Sequence, residues 1–315
     1  MKRMATTLAL LALVALAPDA HAEGVLLAPG DLPDAGRAAL LAEVSAARRT
    51  APDTFASVAA LRAQMPQLDE TKRGRLATVT PALLGLGKRA VPAMLSELAV
   101  DGDRGGLSES AWLAWRLDLL EALGGLRDPR ATAVLEASVD APVREFLLVR
   151  AAAAALGKLN TSAVAAKLVA ASSRGDSKRR LALLAGMGHC RRQLVAQRLA
   201  EALATVTRAS SVDARAVKHL ARALGDIGSA WAWQAPDVRA TGEEATVRAT
   251  AAEALIEGFR LVAEPNASKT LTQAVLVVDD PSTKARIAAA RDRATPEQRA
   301  RLDELERRVD RNPLH

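Results

Sequence analysis

The chain of 315 residues has no tyrosine, three phenylalanines and four tryptophans. A β-sheet core would lack the aromatic side chains that its pleated faces pack, so an all-β fold is close to excluded. Only one cysteine, Cys190, is present, and no disulfide can close within the chain. Stability has to come from packing, for which the length is ample. Histidine is scarce too, with four in all, which leaves little material for a histidine metal site. What fills the chain is 70 alanines and 46 leucines, two types that favour helix. Charged residues make up 25%, far from the composition of a disordered protein.

An apolar run lies at the start. Met1, Lys2 and Arg3 precede a stretch from Leu8 to Ala17, followed by Pro18, Asp19, Ala20, His21 and Ala22. A basic head, an apolar run too short to span a bilayer and small residues at Ala20 and Ala22 make the pattern of an export leader. Residues 1–22 are expected to be cleaved off, leaving Glu23 as the first residue of a periplasmic or secreted chain with no transmembrane anchor. No cysteine follows the run, so a lipid anchor there is not expected.

A short string recurs at the ends of predicted helices: Leu83-Leu84-Gly85, Ala122-Leu123-Gly124, Ala155-Leu156-Gly157, Leu184-Ala185-Gly186 and Ala223-Leu224-Gly225. Its glycines are 39, 33, 29 and 39 residues apart, and a degenerate copy, Ala254-Leu255-Ile256, follows 31 later. That is a repeat carrying insertions. Before each glycine the apolar residues keep a helical period, as in Leu113, Leu117 and Leu120. Each glycine is expected to end its helix in the left-handed conformation. A second helix then starts within a few residues, marked by Pro92 and by Asp128-Pro129, where Asp caps and Pro fits the first turn. Each unit therefore reads as an antiparallel helix pair, and the fold class as an all-α solenoid.

The segments Val149-Arg150-Ala151 through Gly157, Val217-Lys218 through Gly225 and Val247-Arg248 through Leu255 resemble HEAT-like repeats of the short type associated with phycobilin lyases. Leu84 through Leu95 is similar to the joint between the two helices of such a repeat. The resemblance covers residues 76–280 and implies a superhelix of helix pairs. It says little about chemistry, because such repeats occur in lyases, scaffolds and adaptors. Outside the array, residues 23–35 read as a flexible lead-in and 36–75 as an N-terminal helical cap. Residues 101–107 and 229–241 read as insertions, and 281–315 as C-terminal capping helices and tail. Thr295-Pro296 with Gln298 suits a capping box, and the narrow stripe Leu302, Leu305, Val309 suits an outer cap.

No catalytic, cofactor-binding or metal site is expected. His189, His219 and His315 have no second ligand at metal spacing. Cys190, between His189 and Arg191-Arg192 at a predicted helix start, has neighbours that lower a thiol pKa, yet nothing orients His189 as a base. A small residue packed at a repeat joint is the preferred reading. The spacing of Asp101, Asp103 and Glu109 fails a calcium loop, since Trp112 stands where a bidentate Glu belongs. Trp112 and Trp115 are expected to pack in a repeat interface, whereas Trp231 and Trp233 lie in an insertion beside Pro236.

Charge is the strongest functional clue. Residues 144–222 hold fifteen Lys or Arg against four acids, while the rest of the chain after the leader is mildly acidic. A cationic surface in the middle units suits an acidic protein or an envelope polyanion; the alternative is a solvated face that keeps an Ala-rich protein dispersed. Nucleic acid is disfavoured by the export leader. The candidate partner-binding residues are Arg179, Arg180, Arg191, Arg192, Arg198, Trp231 and Trp233. The expected function is an exported noncatalytic scaffold or adaptor for a protein partner, with an enzyme or ligand-handling protein as the runner-up. A pocket of convergent polar groups near His189 and Cys190 would favour that runner-up.

Overall fold

The structure, a computed structural model, describes Leu27 and residues 31–312. The expected leader, the start at Glu23, most of the lead-in and His315 lie outside the described residues. Among the described residues there are helices and no strand. They are α1 (Asp34–Thr50), α2 (Pro52–Thr71), α3 (Thr80–Gly85), α4 (Val91–Ala99), α5 (Glu109–Leu126), α6 (Thr132–Asp140), α7 (Phe146–Gly157) and α8 (Ser162–Ala171). There follow α9 (Ser177–Met187), α10 (Gln193–Thr207), α11 (Ala214–Gly228), α12 (Pro236–Arg239), α13 (Glu244–Leu261), α14 (Pro265–Val278), α15 (Thr283–Asp292) and α16 (Pro296–Asp310).

The helices stack in two rows. One row runs α3, α5, α7, α9, α11, α14, each against the next. The second contains α4, α6, α8, α10, α13 and α15, successive members touching from α6 onward. The core lies between the rows, with Leu119, Leu120 and Leu123 of α5, Leu156 of α7 and Leu199 of α10 fully buried. Helix starts follow the sequence. Ser108, Thr161, Asp176 and Asp213 accept hydrogen bonds from backbone N–H groups in the first turns of α5, α8, α9 and α11. The Thr295–Gln298 capping box is present, and Leu302, Leu305 and Val309 bury the inner side of α16. Trp112 and Trp115 are buried as expected, with the Arg116 guanidinium 5.0 Å from the Trp112 ring centre.

The role of the string glycines differs from the expectation. None of Gly85, Gly124, Gly157, Gly186 and Gly225 has positive φ; left-handed backbone falls instead at Gly87, Arg127, Asn160 and Asp279. Four of the five are notches between neighbouring helices. A Cβ on Gly124 would lie 2.6 Å from the Cα of Ala155 in α7, and one on Gly186 would lie 2.3 Å from the carbonyl oxygen of Arg150. A Cβ on Gly157 would sit 3.1 Å from the Cys190 amide nitrogen, and one on Gly225 3.2 Å from Ala274 Cβ. Gly85 faces open space.

A second correction concerns residues 244–261, whose Ala254-Leu255-Ile256 suggests a sixth first-row helix. α13 instead packs on α10 in the second row, and α14 takes the first-row place against α11. The 229–241 insertion makes this possible. Trp233 is fully buried, its indole N–H donating to the Ile227 carbonyl at 2.9 Å, and the Ala230 amide donates to Val277 O of α14 at 3.1 Å. The clean second helix of the fifth unit thus follows the insertion.

Candidate functional site

The basic stretch separates into arginines that hold the fold and cations that have no partner among the described residues. Arg179 donates to the Val139 carbonyl in the last turn of α6 at 2.5 Å and to the Val143 carbonyl just after it at 3.1 Å. Arg191 donates to Asp226 O near the end of α11 at 3.3 Å. Arg248 does the same for Asp279 O at 2.5 Å, and Arg301 for Val262 O at 2.6 Å. The device recurs because the last carbonyls of a helix have no intrahelical donor, and a guanidinium from a neighbouring element supplies one.

These bonds revise the candidate residues. Arg191 is buried and Trp233 has no exposed surface, so neither belongs to an open face. Arg192 pairs with Glu243 at 3.3 Å and donates to Ser162, and Arg198 donates to the Ser172 hydroxyl at 3.1 Å. Arg180 is exposed, with one bond to Gly175 O at 3.1 Å. Trp231 is 83% exposed.

Arg144, Arg150, Lys178 and Arg222 are exposed and make no hydrogen bond or ion pair among the described residues. They lie along α7, α9 and α11 of the first row and around two adjoining recesses. The smaller recess, about 170 Å³, crosses four successive first-row helices. α7 supplies Arg150 and the alanines Ala151, Ala154 and Ala155, with Lys158 just past its end, and α9 supplies Ala185 and Gly186, with His189 just past its end. α11 supplies His219, Arg222 and Asp226, and α5 closes the edge with Glu121. The larger, about 390 Å³, opens beside Arg144, Phe146 and Lys178. Phe146 and His219 join the two, their ring centres 5.0 Å apart.

A spacing signal for this site exists in the sequence. Arg215, His219, Arg222 and Asp226 stand at i, i+4, i+7 and i+11, one polar face of α11. On α7, Arg150 interrupts the otherwise apolar run from Phe146 to Gly157. The close stacking at Gly186 keeps the floor shallow, since only a residue without Cβ fits against Arg150 O.

Electrostatics in the smaller recess follow from crowding. Burial, with Lys158, Arg191 and Arg150 nearby, pushes the His189 imidazole down to about 4, so it is neutral at physiological pH. His219 is lowered by burial and by Arg215, Arg150 and Arg222. Burial lowers Lys158 and raises the carboxyl of Asp226 against the pull of Arg191, Arg150 and Arg222. Cys190, next to His189 in the chain, is fully buried, its thiol pushed up to about 12 mainly by desolvation. Among the described residues, no serine, threonine, tyrosine or cysteine lines the smaller recess. It offers hydrogen-bond donors and positive charge, with no hydroxyl or thiol nucleophile.

Among the described residues no group of three or more His, Cys, Asp or Glu is placed to hold a metal ion, and no helix is long and apolar enough to cross a membrane. The chain matches no protein-family model and no curated protein.

Proposed function

We propose that this protein is an exported, noncatalytic scaffold of HEAT-like repeat type that binds an acidic protein partner through the cationic face of α7, α9 and α11. The observation that carries the reading is the division of the basic stretch. Several of its arginines are consumed by helix-end carbonyls and ion pairs, whereas Arg144, Arg150, Lys178 and Arg222 are unpartnered among the described residues and lie on one row. Unpartnered cations side by side repel one another, and an anionic surface that covers them relieves that repulsion. The recess of convergent polar groups at His189 is the feature that favours a ligand-handling protein or enzyme, and it keeps that reading as the runner-up. Its lining, among the described residues, has donors but no hydroxyl or thiol nucleophile, which supports binding over covalent chemistry.

A matched charge reversal tests this. The set Arg144→Glu, Arg150→Glu, Arg222→Glu is compared with Arg37→Glu, Arg73→Glu, Arg75→Glu, three exposed arginines of the N-terminal region with equal effect on net charge. With poly-glutamate as probe, the first set is expected to weaken binding about tenfold or more, equivalent to about 1.4 kcal/mol, and the second by about twofold. Raising salt should erase the difference, because exposed charges are screened over about 8–10 Å. Equal losses from the two sets would leave the basic middle as a solvated face.

Export has its own readout. N-terminal sequencing of protein recovered from the periplasm or medium should give Glu23, and an intact Met1 on the functional protein would remove export from the reading.

A further inference from the structure

The smaller recess is built differently from the rest of the cationic face. Its lining brings together two arginines, Arg150 of α7 and Arg222 of α11, with Lys158 and the imidazoles of His189 and His219. None of these five side chains has a hydrogen bond to the protein among the described residues. Polar groups gathered at a recess without partners are the condition under which an anionic oxygen ligand gains most, because each donor exchanges water for a charge-assisted bond.

Its size and charge narrow the ligand. A volume of about 170 Å³ lies below the roughly 300–1,000 Å³ of sites that enclose a free small molecule or cofactor, and suits one end group of a larger molecule. Arginine favours planar, two-oxygen groups that it can bind with a pair of parallel N–H bonds. Glu121 on α5 and Asp226 on α11 both line the recess, so a dianion meets about twice the repulsion from these carboxyls that a monoanion meets. Neutral imidazoles add N–H donors without adding charge.

We infer that this recess is a carboxylate-binding subsite, in which Arg150 and Arg222 clamp a Glu or Asp side chain of the partner polypeptide and His189, His219 and Lys158 supply further donors. The inference rests on the acidic-partner reading and sharpens it from a diffuse face to one seat. Arg144 and Lys178 then steer the acidic segment, while the recess fixes its register.

The test fills the recess without touching charge. Ala154, half-buried in its floor, is replaced by leucine, and the probe is a capped peptide with four glutamates. Ala154→Leu is expected to weaken the peptide about as much as the isosteric-in-purpose pair Arg150→Gln, Arg222→Gln, with helicity and melting checked first. In ¹⁵N-histidine-labelled protein the His189 and His219 signals should shift on titration, a readout that needs no variant. A peptide with glutamine at the four positions should shift neither, and one with phosphoserine should bind more weakly than the glutamate peptide. Unchanged affinity in Ala154→Leu together with silent histidines would overturn the subsite and leave the acidic-partner reading standing. Tighter binding of the phosphoserine peptide would overturn the carboxylate assignment. If the Arg144→Glu, Arg150→Glu, Arg222→Glu set also binds as the parent does, the broader reading fails with it.

Discussion

Gly186→Ala should lower the melting midpoint clearly, whereas Gly85→Ala should leave it unchanged or raise it slightly. Both positions belong to the same recurring string and both are helical, so alanine gains about 0.5–1 kcal/mol of helix preference at a well-formed interior site. The difference lies in what the added methyl meets. At Gly85 nothing lies within 4 Å, and the substitution exposes only the preference. At Gly186 the methyl would sit 2.3 Å from Arg150 O, 2.8 Å from Ala153 Cβ and 3.0 Å from the Ala154 amide nitrogen. Two of these three atoms are backbone, which no rotamer change can move. α7 and α9 would have to separate, and they share one of the most extensive helix contacts of the first row. Overpacking of that kind costs about 1–3 kcal/mol or more, enough to outweigh the gain in preference. Since units of a stacked array are held by their neighbours, loosening one joint weakens coupling along the row. Gly124→Ala, with Ala155 Cα at 2.6 Å, should behave like Gly186→Ala. Equal melting of the Gly85 and Gly186 variants would mean that the notch does not control the stacking distance.

Those glycines also mark what sequence can and cannot carry. The spacing of the strings and the 3.6-residue apolar period before them make the stacked helical architecture legible, because both are local properties of the chain. A glycine near a helix end is compatible with a left-handed cap and with a close helix crossing alike. Only the position of the next helix decides, and that is a tertiary fact. The same holds for residues 244–261. Their apolar pattern is helical wherever they pack, and it is the 229–241 insertion, anchored by buried Trp233, that delivers them to the second row.

The site is legible to a similar depth. Composition locates the cationic stretch 144–222, but it does not distinguish Arg179, whose guanidinium caps the Val139 carbonyl at the end of α6, from Arg150, whose guanidinium meets no partner among the described residues. That distinction depends on which helix ends from other units lie within reach of each side chain. The Arg215, His219, Arg222, Asp226 spacing does mark one polar face of α11, and Arg150 stands out against an apolar α7. Neither signal says that Glu121, from a helix some 30 residues earlier in the chain than Arg150, closes the same recess.

Acidification should destabilise this protein through His189 before most carboxylates titrate. In the unfolded chain the imidazole has its ordinary value of 6.5, and in the fold burial and the neighbouring Lys158, Arg191 and Arg150 hold it near 4. Between those values the unfolded state binds a proton that the folded state refuses, so stability is fully present above pH 6.5 and is lost as pH falls toward 4. A full shift of this size corresponds to about 3 kcal/mol, and the partial solvent access of the ring reduces the expected loss to roughly 2 kcal/mol. His219, lowered for the same reasons, adds in the same direction. Asp226, whose carboxyl is raised in the fold, works the other way at the acid end. Denaturant midpoints measured at pH 7.5, 5.5 and 4.5 for the parent and for His189→Gln isolate the histidine from every group the two share. The parent should lose more stability than the variant across this interval, with the gap opening below pH 6.5. Parallel losses would show that the His189 ring is hydrated and protonates in place, and the recess would then carry an additional positive charge at mildly acidic pH.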